Sequence, residues 1–206
     1  RIDIDPSEIN RNIEPDIKII GDAVSAINDL VERVPRYNKS RSSIEEEMNA
    51  VTANTREKLS AFPILAAYSD SIREEMPDDG IFVTEMTQVG YYSYHGFPVY
   101  SPRTYITPGY QGTLGYGFST ALGVKVGNPD KTVVSIAGDG GFMFGVQEMS
   151  TMVQNGINLI TIIFNDGAYG NVRRTQSDMF GGRLLGSKLE NPDFTKLAES
   201  FGVVAR

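Results

Sequence analysis

The sequence predicts an α/β fold with a mainly parallel sheet. Residues 132–137 and residues 158–164 are short runs rich in β-branched side chains, which is typical of buried parallel strands. Residues 144–153, between them, carry apolar side chains at helical spacing, and Asn155-Gly156 supplies a helix stop. A strand, a helix and a second strand in this order predict a β-α-β unit.

Two helices are predicted in the first third of the chain. Residues 21–34 have an amphipathic pattern and are followed by Pro35, which we expect to end the helix. Residues 40–59 predict a polar helix that is rich in charge and has few apolar side chains to anchor it. We interpret this second helix as a linker over a neighbouring domain, with a domain boundary inside residues 35–60.

From residue 62 onward the pattern predicts alternating helices and strands. The expected elements are a helix over residues 63–76, strands over residues 81–84 and 103–107, and a helix over residues 115–126. An aromatic segment with four tyrosines and one phenylalanine lies between residues 91 and 100. Aromatic side chains are common both in cores and in subunit interfaces, so we interpret this segment as packing or interface rather than catalysis.

Two acidic residues follow the carboxyl ends of the strands in the β-α-β unit. Asp139 and Asp166 lie 27 positions apart. The carboxyl ends of parallel strands meet at one edge of a sheet, so both side chains can converge on one ligand. Two oxygen ligands beside glycines suit Mg²⁺ carrying a diphosphate, and Gly140 and Gly141 let a phosphate approach backbone N–H groups. Each carboxylate also suits a simpler role, Asp139 as a helix N-cap and Asp166 in an Asx-turn.

The run Gly138-Asp139-Gly140, followed at a fixed distance by Asn165-Asp166, resembles the signature of a known family. The family is that of the thiamine diphosphate-dependent enzymes of the acetolactate synthase, benzoylformate decarboxylase and pyruvate decarboxylase group. In this family the second residue of the later pair is a metal ligand, and it is usually Asn. Asp166 keeps the oxygen donor but adds a negative charge beside the diphosphate, which leaves the choice among Mg²⁺, Mn²⁺ and Ca²⁺ open.

The resemblance covers most of the chain and implies its organisation. It implies a three-layer α/β/α thiamine diphosphate-binding fold over residues 61–206, truncated at its C-terminus, after the end of a central α/β domain (residues 1–34) and the linker helix (residues 35–60). Residues 112–117 resemble the loop that meets the middle of the cofactor, and residues 191–202 resemble the helix after the metal loop. Family members also begin with a domain that binds the aminopyrimidine ring and supplies an activating glutamate. Nothing in the sequence matches that domain, so we expect a fragment that is inactive alone.

The resemblance also implies site residues, position by position. The metal ligands would be Asp139, Asp166 and the backbone carbonyl of Ala168. The full set expected to contact the cofactor is Gln88, Gly112, Leu114, Gly138, Asp139, Gly140, Gly141, Asp166, Ala168, Tyr169 and Gly170. Two of these are expected to act in catalysis: the carbonyl of Gly112 would accept a hydrogen bond from the 4′-amino group, and Leu114 would wedge beneath the bent cofactor.

The activity that the resemblance implies is decarboxylation of a small-molecule 2-oxo acid, alone or followed by ligation of the product to a second carbonyl, as in acetolactate synthase. The cofactors would be thiamine diphosphate and Mg²⁺, while binding of FAD by the longer enzyme depends on residues before Arg1. Sites of this family lie between two subunits, one supplying the diphosphate half and the other the N-terminal pyrimidine-binding domain. A homodimer or homotetramer is therefore expected.

Two alternatives stay open from the sequence. The first is a non-catalytic or regulatory domain that keeps the cofactor fold without the activity. The second is a nucleotide-binding Rossmann-like module, suggested by Gly115-Tyr116-Gly117 before a helix. The third glycine of that fingerprint would fall on Thr120, which argues against it.

Composition narrows the kinds of partner and the cellular compartment that we expect for this protein. The net charge is −7 and no cluster of Lys and Arg offsets it, which argues against a nucleic-acid partner. Cysteine is absent, which suits a cytoplasmic protein. No apolar stretch reaches the roughly 20 residues that span a bilayer, so no membrane is expected as a partner.

Overall fold

The named strands pair in parallel throughout the residues that the computed structural model describes, which are 1–39 and 41–206. The chain divides into two units, Arg1–Asn49 and Ala50–Arg206. Within the described part of the chain, no helix combines the length and the hydropathy needed to cross a lipid bilayer.

The first unit contains two short strands, β1 (Ile2–Asp3) and β2 (Ile19–Ile20), which form a parallel pair. Helix α1 follows over Ala23–Tyr37 and is capped by Asp22, whose carboxylate accepts a hydrogen bond from the Ser25 N–H at 2.9 Å. The assignment of these residues to the end of a larger central domain stays a prediction.

The prediction that Pro35 ends the first helix is wrong. Pro35 lies inside the last turn of α1, which continues to Tyr37. The Asn38 N–H bonds to the Val34 carbonyl at 2.8 Å and so closes the turn around the proline. The ring removes one hydrogen-bond donor, but the remaining bond is enough to hold a terminal turn.

The polar helix is shorter than predicted. Helix α2 covers Glu45–Leu59 rather than residues 40–59. The predicted first residue, Ser40, lies outside the described residues. The Ser43 hydroxyl accepts a hydrogen bond from the Glu45 N–H at 3.2 Å, and this local capping bond favours the observed helix start.

The second unit is built on a four-stranded parallel sheet. Its strands are β3 (Ile81–Val83), β4 (Tyr105–Ile106), β5 (Val133–Gly138) and β6 (Ile160–Phe164). The order across the sheet is β4-β3-β5-β6, so β3, the earliest of the four in the chain, lies in the middle beside β5. Each strand lies inside or within one residue of a run that the sequence predicts to be extended.

Helices cover both faces of this sheet. They are α3 (Pro63–Glu74), α4 (Gln88–Gly96), α5 (Tyr116–Gly127), α6 (Asp139–Phe142), α7 (Met149–Gln154), α8 (Gly170–Met179) and α9 (Phe194–Ser200), with a 3₁₀ turn at Val146–Glu148. Side chains alternate along β3: Ile81 and Val83 pack in one apolar cluster with residues of α5 and α7, whereas Phe82 packs in another with residues of α3 and α4. The predicted three-layer α/β/α fold is confirmed.

The single helix predicted over residues 144–153 is wrong. The segment after β5 forms α6, a 3₁₀ turn and α7 in succession. The break follows from a tight turn in which the Gly145 N–H bonds to the Phe142 carbonyl, three residues back, at 3.0 Å. The sequence analysis does not predict helices α4 and α8, because neither helix has a regular stripe of apolar side chains.

Candidate functional site

The carboxyl ends of β5 and β6 form one edge of a cleft of about 700 Å³. Gly138, the last residue of β5, pairs with Phe164, the last residue of β6. Asp139 follows the first strand and Asp166 the second, and both line the cleft. The predicted convergence of the two carboxylates at one sheet edge therefore agrees with the geometry.

The cleft brings together every residue predicted to contact the cofactor. Its lining includes Gln88, Gly112, Leu114, Gly138, Asp139, Gly140, Gly141, Asp166, Ala168, Tyr169 and Gly170. The rest of the lining includes apolar side chains from α3 and β6, among them Leu65 and Ile162. Their joint position is a structural finding, whereas their role in binding stays a prediction.

Asp139 is buried, with 2% of its surface exposed, and is held by a residue that the sequence analysis did not select. The side-chain amide of Asn191 donates to Oδ2 of Asp139 at 2.6 Å and to Oδ1 of Asn165 at 2.9 Å. Asp139 does not act as a helix N-cap, because Gly138 holds that position in α6 and makes no side-chain capping bond. The carboxylate is thus oriented by a neutral partner and keeps acceptor sites free.

Asp166 is half exposed, and both of its oxygens have partners. Oδ1 accepts a hydrogen bond from the Ala168 N–H at 3.2 Å, which is the Asx-turn that the sequence also suggested. Oδ2 accepts from Nη2 of Arg173 at 3.0 Å. Gly167, which lies between Asp166 and Ala168, has φ +65°, a conformation that favours glycine. An Asx-turn and a metal ligand are compatible roles, since a carboxylate has about four acceptor sites.

Backbone pairing fixes the peptide of Ala168. The Tyr169 N–H bonds to the Ser187 carbonyl at 2.8 Å, and the Leu189 N–H bonds to the Gly167 carbonyl at 2.8 Å. These two bonds flank Ala168, which is 3% exposed. The segment that would offer a backbone carbonyl to a metal is therefore held in place by a second segment of chain.

Close packing explains two of the glycines in the cleft. A Cβ atom on Gly140 would lie 2.6 Å from Cε1 of Tyr169, and one on Gly141 would lie 2.5 Å from Oε1 of Glu85. The glycines thus keep a backbone wall that a phosphate can approach.

Gln88 is oriented by a cation at the rim of the cleft. Nη1 of Arg174 donates to Oε1 of Gln88 at 3.3 Å, and Nη2 of Arg174 donates to Oδ1 of Asn171 at 2.8 Å. Because the amide oxygen of Gln88 faces Arg174, its NH₂ group is the part available to an anion in the cleft.

Glu85 is the second residue that the sequence analysis missed. It is 2% exposed, and its Oε1 accepts a hydrogen bond from the Gly115 N–H. Its Oε2 is buried and has no hydrogen-bond partner among the described residues. Burial raises the pKa of the Glu85 carboxyl, and hydrogen bonds from the backbone N–H groups of Gly115, Gly117 and Tyr116 oppose that rise.

Glu85 links the start of α5 to the start of α6. It accepts a hydrogen bond from the Gly115 N–H, directly after the loop that contains Gly112 and Leu114, and its carboxylate occupies the space that a side chain on Gly141 would need. A signal for it exists in the sequence: like Asp139, it is an acidic residue just beyond the end of an apolar strand.

The nucleotide-binding alternative is not favoured by the geometry. The Rossmann fingerprint requires its glycines to follow a strand directly. Strand β4 ends at Ile106, and residues 107–114 separate it from Gly115. The glycine pair there is engaged with Glu85 instead.

The donor set fits a magnesium ion that takes its remaining oxygen ligands from a diphosphate. Two carboxylates and a backbone carbonyl are hard oxygen donors, which suit Mg²⁺. No group of three or more His, Cys, Asp or Glu side chains that could hold a metal occurs in the described residues. A metal at this edge would need further oxygens from a bound ligand or water, which is the usual arrangement for Mg²⁺ with phosphates.

Comparisons with known proteins point to thiamine diphosphate as the cofactor. Residues 85–206 match the family model described as thiamine pyrophosphate enzyme, C-terminal TPP binding domain, where thiamine pyrophosphate is another name for thiamine diphosphate. The chain is 32% identical over 228 residues to a probable acetolactate synthase large subunit of Methanococcus aeolicus, covering 100% of this chain and 37% of that protein. It is 30% identical over 210 residues to the probable 2-ketoarginine decarboxylase AruI of Pseudomonas aeruginosa, with the same coverage of 100% and 37%.

A solved structure is also similar. The thiamine diphosphate-dependent 4-hydroxybenzoylformate decarboxylase of Rhodococcus jostii RHA1 has 30% sequence identity and a TM-score of 0.63, over 68% of this chain and 26% of that one. The present chain spans a little over a third of the length of the curated relatives that it matches.

Proposed function

Because this chain belongs to the family of thiamine pyrophosphate enzymes, whose C-terminal cofactor-binding domain covers residues 85–206, we propose that its cleft binds the diphosphate of thiamine diphosphate together with Mg²⁺. The observation that carries the proposal is the meeting of two carboxylates, a glycine wall and Gln88 in one cleft at the carboxyl edge of a parallel sheet. Ligands of open α/β sheets bind at that edge.

Asp139, Asp166 and the carbonyl of Ala168 would hold the metal. Asn191 keeps the Asp139 carboxylate in one orientation, so that less freedom is lost when the metal binds. The metal would in turn neutralise charge on the diphosphate, which otherwise meets two carboxylates.

The phosphate oxygens would be bound by hydrogen-bond donors from three directions. Gly140 and Gly141 offer backbone N–H groups, and Gln88 offers its side-chain NH₂. Helix α8 starts at Gly170 in the cleft wall, and the partial positive charge at a helix N-terminus favours an anion there.

Gly112 and Leu114 would meet the organic part of the cofactor. Gly112 has φ +60°, a backbone conformation that favours glycine, and Leu114 presents a large apolar side chain that is 36% exposed. Glu85 holds this loop through the Gly115 N–H. When bound, the cofactor supplies the electron sink for breaking the bond beside the carbonyl of a 2-oxo acid.

The reaction we propose for the longer enzyme is decarboxylation of a 2-oxo acid, with ligation of the product to a second carbonyl as the acetolactate synthase-like variant. The relatives, which include a probable acetolactate synthase and two decarboxylases, support this class of reaction. A pyrimidine-binding domain of a second subunit would complete the site, so the enzyme would act as a homo-oligomer.

The test is calorimetric titration of thiamine diphosphate into the 206-residue chain, with and without Mg²⁺. We expect binding that requires Mg²⁺, is lost in Asp139→Asn and is kept in Asp178→Ala. The first variant preserves the shape of the buried side chain and its bond to Asn191, while the second removes a carboxylate on α8 that does not line the cleft. Circular dichroism confirms that each variant is folded. If binding is absent, the titration is repeated on the longer enzyme that carries the pyrimidine-binding domain. Binding that is absent there too, or that is independent of Mg²⁺ and Asp139, would contradict the proposal.

A further inference from the structure

Asp166 contributes a full negative charge at a position where the resemblance predicts a neutral amide, and Arg173 pairs with it. The two side chains meet at 3.0 Å between Nη2 and Oδ2, with 44% of the Arg173 side chain and 50% of the Asp166 side chain exposed. Arg173 lies on α8, seven positions after Asp166. The guanidinium is permanently charged at any pH at which the protein is folded.

The cleft has no cation among its described lining residues that could balance this charge. Asp139 and Asp166 line it, and no Lys, Arg or His is among its described lining residues. The neighbouring Arg174 donates instead to Gln88 and Asn171. Arg173 is therefore the cation in direct contact with the additional carboxylate.

The pair can persist when a metal binds. Asp166 accepts one hydrogen bond at each oxygen, from Ala168 and from Arg173, and a carboxylate has about four acceptor sites. The absence of a side chain at Gly170 leaves room for this pair, since a Cβ atom there would lie 2.9 Å from Oδ2. A cation can thus reach Asp166 without displacing Arg173.

We propose that Arg173 is a positioning residue that lets Asp166 act as a nearly neutral oxygen ligand, so that the site favours a metal–diphosphate complex over the free metal ion. The inference rests on the proposed binding of thiamine diphosphate and Mg²⁺. Without Arg173 the uncompensated carboxylate attracts a free cation more strongly and repels the diphosphate. The two affinities are therefore expected to change in opposite directions, which a purely structural role would not produce.

The experiment compares two binding measurements on the 206-residue chain. The first is the affinity for Mn²⁺ alone, followed by electron paramagnetic resonance as a probe of the metal site. The second is the affinity for thiamine diphosphate at saturating Mg²⁺, followed by calorimetry. In Arg173→Gln we expect about fivefold tighter Mn²⁺ binding and about fivefold weaker thiamine diphosphate binding, from the loss of one nearby charge in a solvated site.

Two further variants make the result specific. Asp166→Asn combined with Arg173→Gln removes the carboxylate and its partner together, and we expect it to restore thiamine diphosphate affinity to within about twofold of the wild type. Arg183→Gln removes the same charge from a residue whose guanidinium contacts the Phe180 carbonyl outside the cleft, and both affinities should be unchanged.

Failure of the inference and failure of the proposed function are distinguishable. If neither this chain nor the longer enzyme with its pyrimidine-binding domain binds thiamine diphosphate with Mg²⁺, the proposed function fails. If the wild type binds but Arg173→Gln weakens both ligands alike, or changes neither, the role of Arg173 is wrong. Arg173→Met, which keeps most of the side-chain stem, serves as the second variant should Arg173→Gln fail to fold, and the same opposite changes are expected of it.

Discussion

The amide of Asn191 joins Asp139 to Asn165, through hydrogen bonds of 2.6 and 2.9 Å. This one side chain thereby connects the residue after β5, the residue after β6 and the loop before α9. A partner that orients a metal ligand typically contributes about tenfold or more to metal affinity.

We therefore expect Asn191→Ala to weaken Mn²⁺ binding about tenfold, because the Asp139 carboxylate loses the group that orients it. Electron paramagnetic resonance of Mn²⁺ measures the affinity. Asn155→Ala is the matched control, since that amide bonds to the Thr151 carbonyl in α7, at 2.9 Å, and does not line the cleft among the described residues. Equal affinities in the two variants would show that Asn191 does not position Asp139.

The buried carboxyl of Glu85 predicts a pH-dependent stability. Its pKa in the folded chain is raised above the ordinary 4.5 by burial. Between pH 4.5 and the folded-state pKa, the folded chain keeps a proton on Glu85 that the unfolded chain has released. The resulting contribution to the free energy of unfolding is fully present below pH 4.5 and is lost as the pH rises through the folded-state pKa.

The side chain introduced by Glu85→Gln cannot ionise. We therefore expect the free energy of unfolding of this variant to rise relative to that of the wild type between pH 4.5 and the folded-state pKa of Glu85. At higher pH the difference between the two free energies should stay constant. Urea denaturation from about pH 4.5 to about pH 8 measures the two curves. Glu190→Gln, at a side chain that is 91% exposed, should follow the wild type at every pH. Parallel curves for wild type and Glu85→Gln would mean that Glu85 ionises normally.

Two helical glycines should respond oppositely to the same substitution. A Cβ atom on Gly90 in α4 would lie 2.1 Å from the Glu85 carbonyl oxygen, whereas Gly123 in α5 has nothing within 4 Å of that position. We expect Gly90→Ala to reduce the free energy of unfolding by about 2 kcal/mol or more, and Gly123→Ala to increase it by about 0.5–1 kcal/mol. Chemical denaturation measures both, and a gain in stability for Gly90→Ala would rule out the close approach.

Two buried serines offer a second matched pair. The Ser135 hydroxyl in β5 has no partner among the described residues, while the Ser93 hydroxyl in α4 bonds to the Gly90 carbonyl at 2.6 Å and contacts the Tyr105 hydroxyl at 2.8 Å. Ser135→Ala is expected to be neutral or stabilising by up to about 1 kcal/mol, and Ser93→Ala to destabilise by about 1–3 kcal/mol. If thermal unfolding ranks the variants in the reverse order, Ser135 has a partner that the structure does not describe.

The β-α-β unit and its two carboxylates could be predicted because the information is local. Strands β5 and β6 are β-branched runs with turn residues at their ends, and the geometry of parallel strands then fixes where Asp139 and Asp166 go. The resemblance to the thiamine diphosphate-dependent family is confirmed by the match over residues 85–206.

Other features depend on contacts between distant residues, and a local pattern does not specify the partner. Glu85 meets Gly115, 30 positions later, and Asn191 meets Asp139, 52 positions earlier. Helix α4 was not predicted because its residues lack a regular apolar stripe. The Thr87 hydroxyl accepts a hydrogen bond from the Val89 N–H at its start, and Val89 packs into the core.

The central place of β3 has a consequence for how the cleft assembles during folding. Phe82 pairs with Tyr105 and Val134 with Ile160, so each outer pair joins residues fewer than 30 positions apart. The middle pair, Ile81 with Val133, joins residues 52 positions apart. Closing a loop twice as long costs about 0.6 kcal/mol more, so we expect the two halves of the sheet to form first and the seam between them last.

Asp139 and Asp166 belong to one of these halves, whereas Glu85 and Gln88 belong to the other. A transient opening along the seam would therefore separate Gln88, the proposed hydrogen-bond donor to the phosphate, from the carboxylates while leaving the carboxylates together. Amide hydrogen exchange would detect such an opening as weaker protection at Ile81 N–H, which crosses the seam to the Thr132 carbonyl, than at amides that join β5 to β6. The two halves of the sheet would then separate as units, and a ligand bound to residues of both halves would hold them together.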